Sequence, residues 1–395
     1  MARLAALTGN NAAAEAIRQI KPDVFAAYPI TPQTEMAEEV AQFVADGILE
    51  TEYIPVESEH SSMSVCIGAS LAGVRAMTAT ASCGLAYMWE LLPIAASMRS
   101  PVVMAVVNRA FNAPLNIHCS HDDSMGARDA GWIQLYSENA QEMYDNLIQA
   151  VKIAEDETVR LPVMVCMDGF IISHAVERLI LLDDEEVKNF LGKFKPTYSL
   201  LEVNNPVTLG ACALPDYYTE HKKQHSEALR HSLGKIMEVT NEYANLSGRS
   251  YSLFESYQLA DAEYGIVILN SAAGVTRTVV DKLRKVGVKA GLLKIRVYRP
   301  FPAAQIVQAL KNLKAVAVLE RTDSFGGVGS PVFTDISAAF MEAPTKERPL
   351  MINYIYGLGG RDVGLEDIEK VYASLQVINQ RGKIEKSFAY LQARE

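Results

Sequence analysis

Three short segments carry side chains that could bind and activate a small acid. The first, YPITPQTEM at 28–36, places Thr31 between two prolines. Tyr28 and Thr31 precede those prolines, which biases both toward extended backbone, and Pro32 suits the first turn of the helix that follows. Thr31 is a candidate N-cap. The functional alternative is that the helix start and the threonine hydroxyl bind an anion such as a carboxylate.

The second segment, PVESEHSSMSVCIGASLAG at 55–73, brings Glu57 and Glu59 to the start of a helix rich in small residues. Negative charge at a helix N-terminus is favourable by itself, and we expect one of the two glutamates to serve only that purpose. The other could project from a buried helix into an interface, where a carboxylate can handle protons.

The third segment follows the apolar run Val102–Val107, where Asn108 and Arg109 mark the end of a predicted strand. An arginine there can hold a carboxylate bidentately, and the alternative is a surface ion pair. The same loop contains side chains of the types that ligate metals: His118, His121, Asp122 and Asp123. Because no second segment supports them, we predict no metal site in this chain.

The first part of the chain alternates helical patterns with short apolar runs, at 23–27, 53–56, 76–81, 102–107 and 161–167. Runs of this length between helices predict a parallel sheet that helices cover on both faces. The three segments follow such runs, and ligands of open α/β sheets bind beyond the carboxyl ends of the strands. We therefore expect the three segments to share one site.

The pattern divides the chain into four parts. Residues 1–170 form the first α/β domain, and residues 171–258, with the charged stretch HKKQHSEALRHSLGKIMEVTNEYANL, form a connecting arm. Alternation resumes in a smaller α/β domain at 259–375, and 376–395 is predicted to be a helical tail. The glycine motifs SFGGVGS and YGLGGRD lack the dinucleotide spacing and the Walker lysine, so we interpret both as turns.

Composition limits the partners and the location of the protein. The chain has 395 residues and a net charge of -10, which argues against nucleic acid or an anionic membrane as the main partner. No apolar run reaches transmembrane length without a charge or a proline, and the N-terminus is too quickly polar for a signal peptide, so we expect a cytoplasmic protein. The five cysteines include no C-x-x-C pair, which argues against a self-contained iron–sulfur site.

Several motifs, taken together and in order, resemble the α subunit of the 2-oxoacid:ferredoxin oxidoreductases, the pyruvate:ferredoxin oxidoreductase family. They are LTGNNAAAEAI, AAYPITPQTEM, EYIPVESEHSSM, NRAFNAPLNI, DSMGARDAGWIQLYSEN, RPFP and LERTDSFGGVGSP, and they cover nearly the whole chain. Each motif alone is unspecific, whereas the ordered set is highly specific.

The resemblance implies an enzyme subunit with a pyrimidine-type thiamine diphosphate domain, followed by a second, transketolase-C-terminal-like α/β domain. It implies thiamine diphosphate shared with a β subunit, Mg2+ and 4Fe–4S clusters on partner β, γ and δ subunits, and ferredoxin as the electron acceptor. By position in the motifs, Glu59 would be the catalytic residue, and Thr31 and Arg109 would contact the substrate carboxylate. The implied cofactor contacts are Tyr28, Pro29, Ile30, Thr31 and Glu59.

The family chemistry gives these residues their roles. Glu59 would hydrogen-bond the aminopyrimidine ring and favour its imino tautomer, which takes the proton from the reactive carbon of the cofactor. Carbon dioxide then leaves the substrate, and two electrons pass singly to iron–sulfur clusters. Thr31 and Arg109 would position the carboxylate that is lost.

The sequence departs from the family just after the arginine. Pyruvate-type members usually show NIWGDHQDSM, whereas this chain has NIHCSHDDSM, with His118, Cys119 and Ser120 where a bulky apolar group is usual. Polar groups suit a substrate with a second charged end, so the favoured substrate is oxalate, giving carbon dioxide. Pyruvate with coenzyme A is the alternative, and a branched or longer 2-oxoacid is third. A non-catalytic scaffold subunit is the alternative from another class.

Overall fold

Strands and helices alternate along residues 3–394, the part of the chain that the computed structural model describes. The strands are β1 (Arg3–Leu7), β2 (Val24–Ala27), β3 (Glu52–Pro55), β4 (Ala76–Thr80), β5 (Val103–Asn108), β6 (Ile133–Ser137), β7 (Val163–Asp168), β8 (Glu177–Leu181), β9 (Phe254–Tyr257), β10 (Tyr264–Leu269), β11 (Ala290–Ile295), β12 (Val297–Arg299), β13 (Ala315–Glu320), β14 (Leu350–Ile355) and β15 (Phe388–Tyr390). The helices are α1 (Gly9–Ile20), α2 (Thr34–Ala45), α3 (Glu59–Ala72), α4 (Ser82–Tyr87), α5 (Leu91–Ser97), α6 (Asp122–Gly126), α7 (Ala140–Glu155), α8 (Asp184–Leu191), α9 (Pro215–Ser247), α10 (Ala272–Lys285), α11 (Ala303–Leu310), α12 (Pro331–Ala339) and α13 (Leu365–Arg381). Single 3-10 turns lie at Ala127–Asp129, Thr345–Glu347 and Leu358–Gly360.

The larger sheet has the strand order β12–β6–β7–β5–β4–β2–β3, and all its pairings are parallel except that of β12 with β6. Its central strands β5 and β7 are buried along their whole length, which explains their almost continuously apolar sequences, VMAVVN and VMVCMD. One core, which includes Ile17, Val40 and Leu147, joins this sheet to α1, α2 and α7. The predicted parallel sheet is confirmed.

A second core continues from the larger sheet into the smaller domain. It joins Met63 of α3 and Trp132 to Leu293, Ile306 and Phe340, which lie more than a hundred residues later in the chain. Because these side chains form one apolar cluster, the two α/β domains share a hydrophobic core.

The smaller sheet has the order β15–β14–β13–β10–β11–β9, and only β9 is antiparallel to its neighbour. The chain leaves β11 at Arg296 and at once forms β12, at the edge of the larger sheet. Arg296 is buried, and its guanidinium donates to Asn146 Oδ1 (2.8 Å) and Gln149 Oε1 (2.9 Å) of α7. This anchor explains why the continuous stretch VKAGLLKIRV, at 288–297, divides between two sheets.

Two predicted boundaries differ from the structure. In the predicted arm, β8 pairs with β1, so this part extends the first domain, and α9 covers the charged stretch. Of the helical tail predicted at 376–395, residues 376–381 form the end of α13. Gly382 then ends the helix with a left-handed φ of 66°, β15 pairs with β14, and residue 395 lies outside the described part of the chain. No helix among residues 3–394, α9 included, has the length and apolar character that a membrane span requires.

Candidate active site

The carboxyl ends of neighbouring strands bring the three predicted segments to one edge of the larger sheet. β3, β2, β4 and β5 are adjacent and parallel. The loop Tyr28–Thr31 follows β2, Glu59 begins α3 after β3, and Arg109 follows β5. Ser82, which begins α4 after β4, lies between them in the strand order and was not singled out from the sequence.

Arg109 is buried and contacts the first segment directly. Its Nη1 donates to the carbonyl oxygen of Thr31 (2.9 Å), its Nε to that of Asn116 (3.1 Å) and its Nη2 to Asn112 Oδ1 (3.3 Å). Among residues 3–394, no carboxylate lies within 4.0 Å of this guanidinium, so the ion-pair interpretation is wrong. The positive charge is held by neutral acceptors alone, and part of its N–H donors stays free for an anion.

Thr31 is not the N-cap of α2. The helix begins at Thr34 with Gln33 at the N-cap, because Gln33 N donates to the carbonyl oxygen of Ile30 (2.8 Å) and closes a turn ahead of the helix. Asn10 Nδ2 donates to the Pro32 carbonyl oxygen (2.8 Å) and ties this turn to α1. The loop before it, with Tyr28, Pro29 and Thr31, is therefore exposed at the sheet edge.

The two glutamates of ESEH have different environments. Glu57 is exposed and accepts a hydrogen bond from Ser61 Oγ, which lowers the pKa of Glu57. Glu59 is 7% exposed, and no hydrogen-bond donor contacts its carboxylate within the part of the chain that the structure describes. It lies so close to Gly84 that a Cβ there would be 2.6 Å from Glu59 Oε1 and 2.5 Å from Thr80 Oγ1. Thr80 Oγ1 is itself buried without a partner.

Asp123 connects the ends of β4 and β5. Its carboxylate accepts hydrogen bonds from Ser82 N (2.9 Å), Asn108 Nδ2 (2.8 Å), Arg109 N (3.0 Å) and Ser124 N (2.7 Å). Burial raises the pKa of Asp123 to about 6, although these donors oppose the rise. Asp123, considered above as a possible metal ligand, instead holds the backbone of Arg109 beside the backbone of Ser82.

We expect Asp123→Asn to destabilise the fold by about 3 kcal/mol, since an amide NH2 would face backbone donors that lose their acceptor. Asp122→Asn is the matched control, because Asp122 is only partly buried and its side-chain donors are the hydroxyls of Thr322 (2.8 Å) and Ser120, so the change should cost about 1 kcal/mol. Urea unfolding of both variants measures the difference. Equal losses would contradict the role of Asp123.

A buried polar cluster joins the two domains behind this edge. Asp168, at the end of β7, contacts His121 Nε2 (2.8 Å), Asn270 Nδ2 (2.8 Å), Ser271 Oγ and the guanidinium of Arg321 (3.6 Å). Burial opposes ionisation of Asp168, but the charges of His121 and Arg321 outweigh it and hold its pKa well below the usual value. Sequence reasoning missed this aspartate, whose only signal is its place at the end of an apolar strand.

The same cluster changes two sequence-based expectations. Cys119, expected in a polar loop, is buried, and burial raises the pKa of its thiol. Ligand atoms of Cys119, His121 and Asp168 lie within 4.8 Å of one another, so a second segment does reach the histidine loop. Because Arg321 places a positive charge beside Asp168 and both carboxylate oxygens already accept hydrogen bonds, the group fits a joint between domains better than a cation site.

Two family profiles match this chain. One is described as pyruvate flavodoxin/ferredoxin oxidoreductase, thiamine diphosphate-binding, and matches residues 15–241. The chain belongs to the 2-oxoacid:ferredoxin oxidoreductase family, as an alpha subunit. The second profile, pyruvate:ferredoxin oxidoreductase core domain II, matches residues 262–368. The predicted family is confirmed.

Other members of the 2-oxoacid:ferredoxin oxidoreductase family are similar along nearly the whole chain. Pyruvate synthase subunit PorA of Thermotoga maritima is 51% identical over 367 residues, which are 93% of each chain. PorA of Methanocaldococcus jannaschii is 46% identical over 94% of each chain. Ketoisovalerate oxidoreductase subunit VorA of Pyrococcus horikoshii is 40% identical over 97% of this chain and 96% of its own. The protein is thus an oxidoreductase subunit, and the scaffold alternative finds no support in these relatives.

Solved structures share the fold of this family member. A 2-oxoglutarate:ferredoxin oxidoreductase from Magnetococcus marinus matches with a TM-score of 0.74 and 20% identity over 95% of this chain. The match covers 65% of that protein's chain, so this chain spans just under two thirds of its length. A split-gene transketolase matches with a TM-score of 0.55 and 13% identity over 95% of this chain and 99% of its own. These likenesses concern the fold alone, and they confirm the predicted thiamine-diphosphate-type sheet with a second α/β domain.

Proposed function

We propose that this chain is the alpha subunit of a pyruvate:ferredoxin oxidoreductase, which decarboxylates pyruvate oxidatively with coenzyme A and passes the electrons to ferredoxin. The proposal rests on the sequence identities between this chain and relatives that are named for different substrates. Those named pyruvate synthase subunit reach 51%, against 40% for the ketoisovalerate oxidoreductase subunit. Pyruvate, the alternative substrate of the sequence analysis, therefore has more support than oxalate.

The loop geometry weakens the argument for oxalate, which needs His118, Cys119 and Ser120 to line the substrate site. The His118 ring packs on Phe170 with centroids 4.6 Å apart, and Cys119 is fully buried. Ser120 Oγ accepts a hydrogen bond from Gly359 N (3.1 Å). All three residues contact Phe170 or lie at the interface with the second domain. The substrate site therefore has one cationic side chain, Arg109, which suits a substrate with a single carboxylate.

Arg109 and Thr31 hold that carboxylate in the proposed site. The Arg109 guanidinium is buried, has no carboxylate partner in the part of the chain that the structure describes, and has N–H donors beyond those used in its three hydrogen bonds. A buried charge without a counter-charge favours an anionic ligand, because the ligand supplies the missing partner. Thr31 is exposed next to it, with its hydroxyl available at the same edge.

The surroundings of Glu59 fit the aminopyrimidine of thiamine diphosphate. Within residues 3–394, the buried Glu59 carboxylate has no hydrogen-bond donor and the buried Thr80 Oγ1 has no partner, while Gly84 lets the carboxylate lie against α4. Bound there, thiamine diphosphate supplies the carbon nucleophile and the electron sink of the reaction. Glu59 accepts and holds a proton at the ring nitrogen, and the exposed loop Tyr28–Ile30 supplies further contacts to the cofactor.

A partner chain completes the site in this proposal. The sheet edge exposes apolar side chains, including Tyr28, Phe111, Ile117 and Leu115, which is 73% exposed. Such patches mark interaction surfaces, and the proposed occupant is the β subunit, which would carry the diphosphate and Mg2+. No group of cysteines among residues 3–394 could hold a cluster, which supports 4Fe–4S clusters on the β, γ and δ subunits.

The substrate proposal predicts that the purified complex prefers pyruvate over both oxalate and ketoisovalerate by about tenfold to hundredfold in kcat/KM, the scale on which a pocket separates substrates by size or charge. Reduction of a viologen dye with thiamine diphosphate present measures this, and omission of coenzyme A is the control. A preference for oxalate would restore the first substrate prediction. A preference for ketoisovalerate would instead assign the branched-chain class, which the VorA relative represents.

A further inference from the structure

The turn Gly357–Gly360 of the second domain contacts the loop that follows Arg109. We call the first the glycine turn and residues 111–120 the arginine loop. Gly360 N donates to the carbonyl oxygen of Cys119 (2.7 Å) and Gly359 N to Ser120 Oγ (3.1 Å), while the Gly359 carbonyl oxygen accepts from Asn116 Nδ2 (3.1 Å). These hydrogen bonds link segments that are about 240 residues apart.

Asn116 connects the glycine turn to the arginine. Its Nδ2 donates to the Gly359 carbonyl oxygen, and its Oδ1 accepts from His118 N (2.7 Å). Its own carbonyl oxygen accepts from Arg109 Nε (3.1 Å). One asparagine therefore touches the second domain through its amide and the buried guanidinium through its backbone.

Only glycine fits the last two positions of the turn. Gly359 and Gly360 have φ values of 62° and 78°, in the left-handed region. A Cβ at Gly359 would lie 2.3 Å from Asn116 Nδ2, and one at Gly360 would lie 2.5 Å from His118 Cβ. The backbone of the turn thus approaches the arginine loop more closely than any side chain permits.

The first half of the arginine loop has few other anchors. Residues from Phe111 to Leu115 are exposed, whereas Cys119 near the end of the loop is buried and the His118 ring packs on Phe170. Ala110 N donates to the His118 carbonyl oxygen (2.9 Å) and closes the base of the loop. A segment without apolar burial takes its position from its hydrogen bonds. Asn116 follows this exposed segment, so its hydrogen bond to the glycine turn helps to hold its carbonyl oxygen, and with it the Arg109 side chain.

We propose that the glycine turn of the second domain positions the Arg109 guanidinium for the substrate carboxylate through Asn116. Asn116 and Gly359 are then positioning residues of the reaction, and the motif YGLGGRD, interpreted above only as a turn, sets substrate affinity. The inference rests on the proposed role of Arg109 as the carboxylate anchor. The proposal gives the second domain a part in binding the substrate carboxylate, although no side chain of that domain contacts the Arg109 guanidinium.

The test begins with Asn116→Ala in the complete enzyme complex. We expect KM for pyruvate to rise about tenfold, the effect of one lost hydrogen bond, while kcat stays within about twofold. Gly359→Ala should have the same signature, since its Cβ displaces the Asn116 amide. Gly382→Ala is the matched control, because Gly382 also has a left-handed φ (66°) but nothing within 4 Å of its Cβ position.

A double variant separates positioning from general damage. If Gly359→Ala acts by displacing the Asn116 side chain, then adding Asn116→Ala should cause no further rise in KM. Fully additive rises in KM would overturn the proposal, because the two residues would then act independently. A loss of kcat with unchanged KM would also overturn it.

Hydrogen exchange gives a readout that does not depend on turnover. In the complex without substrate, the peptide covering residues 109–121 should exchange faster in Asn116→Ala and Gly359→Ala than in the wild type, and not in Gly382→Ala. Unchanged exchange would refute the link between turn and loop. If the wild-type complex uses another 2-oxoacid, the pyruvate proposal fails, and the KM comparison is made with the acid that it does use.

Discussion

The complex carrying Glu59→Gln is expected to turn over pyruvate about 10²-fold or more slowly than the wild type, the scale of general acid–base roles. An amide cannot accept and hold the proton that the ring nitrogen of the cofactor must carry. The effect should fall on kcat, since Glu59 holds the cofactor rather than the substrate. Steady-state kinetics with saturating thiamine diphosphate measure it.

The fold of Glu59→Gln should be intact, because the carboxylate has no hydrogen-bond donor to lose within residues 3–394. Removing a buried charge should leave the free energy of unfolding within about 0.5 kcal/mol of the wild type or raise it. Glu57→Gln, two residues away and exposed, is the matched control and should keep its rate within about twofold. If Glu57→Gln were the slow variant instead, the assignment within ESEH would be wrong.

Arg109→Lys is expected to lower kcat/KM for pyruvate by about 10²-fold, mainly through KM, as truncation of a buried hydrogen-bonded charge costs about 3 kcal/mol. A lysine ammonium cannot contact Thr31, Asn116 and Asn112 together and still present two donors to a carboxylate. Arg128→Lys is the control, because Arg128 is partly exposed, donates to the Met125 carbonyl oxygen and pairs with the exposed Asp129 at 3.5 Å. Adding free guanidinium to the Arg109→Ala complex should restore part of the rate. If the rate did not recover and Arg109→Lys caused only a small loss, Arg109 would not belong to the substrate site.

The sequence predicted the elements that carry the site. The buried strands β5 and β7 are almost purely apolar, so both strands and the position of Arg109 follow from hydrophobic patterning. β6 was not predicted, because its sequence IQLYS contains Gln134 and Ser137, which are buried and hydrogen-bonded to residues of α6 and α7. A buried polar strand residue resembles a loop residue until its partner is known.

Side-chain direction is what the sequence could not supply. The oxalate prediction treated Cys119 and Ser120 as groups facing the substrate. The Ser120 hydroxyl instead contacts the glycine turn, whose residues lie about 240 positions later, and the Cys119 thiol lies in the buried cluster with His121 and Asp168. Asp168, which the sequence analysis did not identify, likewise accepts hydrogen bonds from Asn270 and Ser271 of the second domain. Contacts at such separations depend on how the domains pack, which no local pattern records.

The pairing of β12 with β6 affects the order in which the chain can fold during synthesis. β6 is made early and receives its outer partner only when residues 297–299 have left the ribosome. Until then a nascent chain presents a bare sheet edge, and the apolar core around Met63 and Trp132 lacks the side chains that complete it. Both features promote association between nascent chains. The stretch up to residue 258 therefore depends on the last third of the chain to finish folding, and we expect that cutting the chain within the arm would not release two stable proteins.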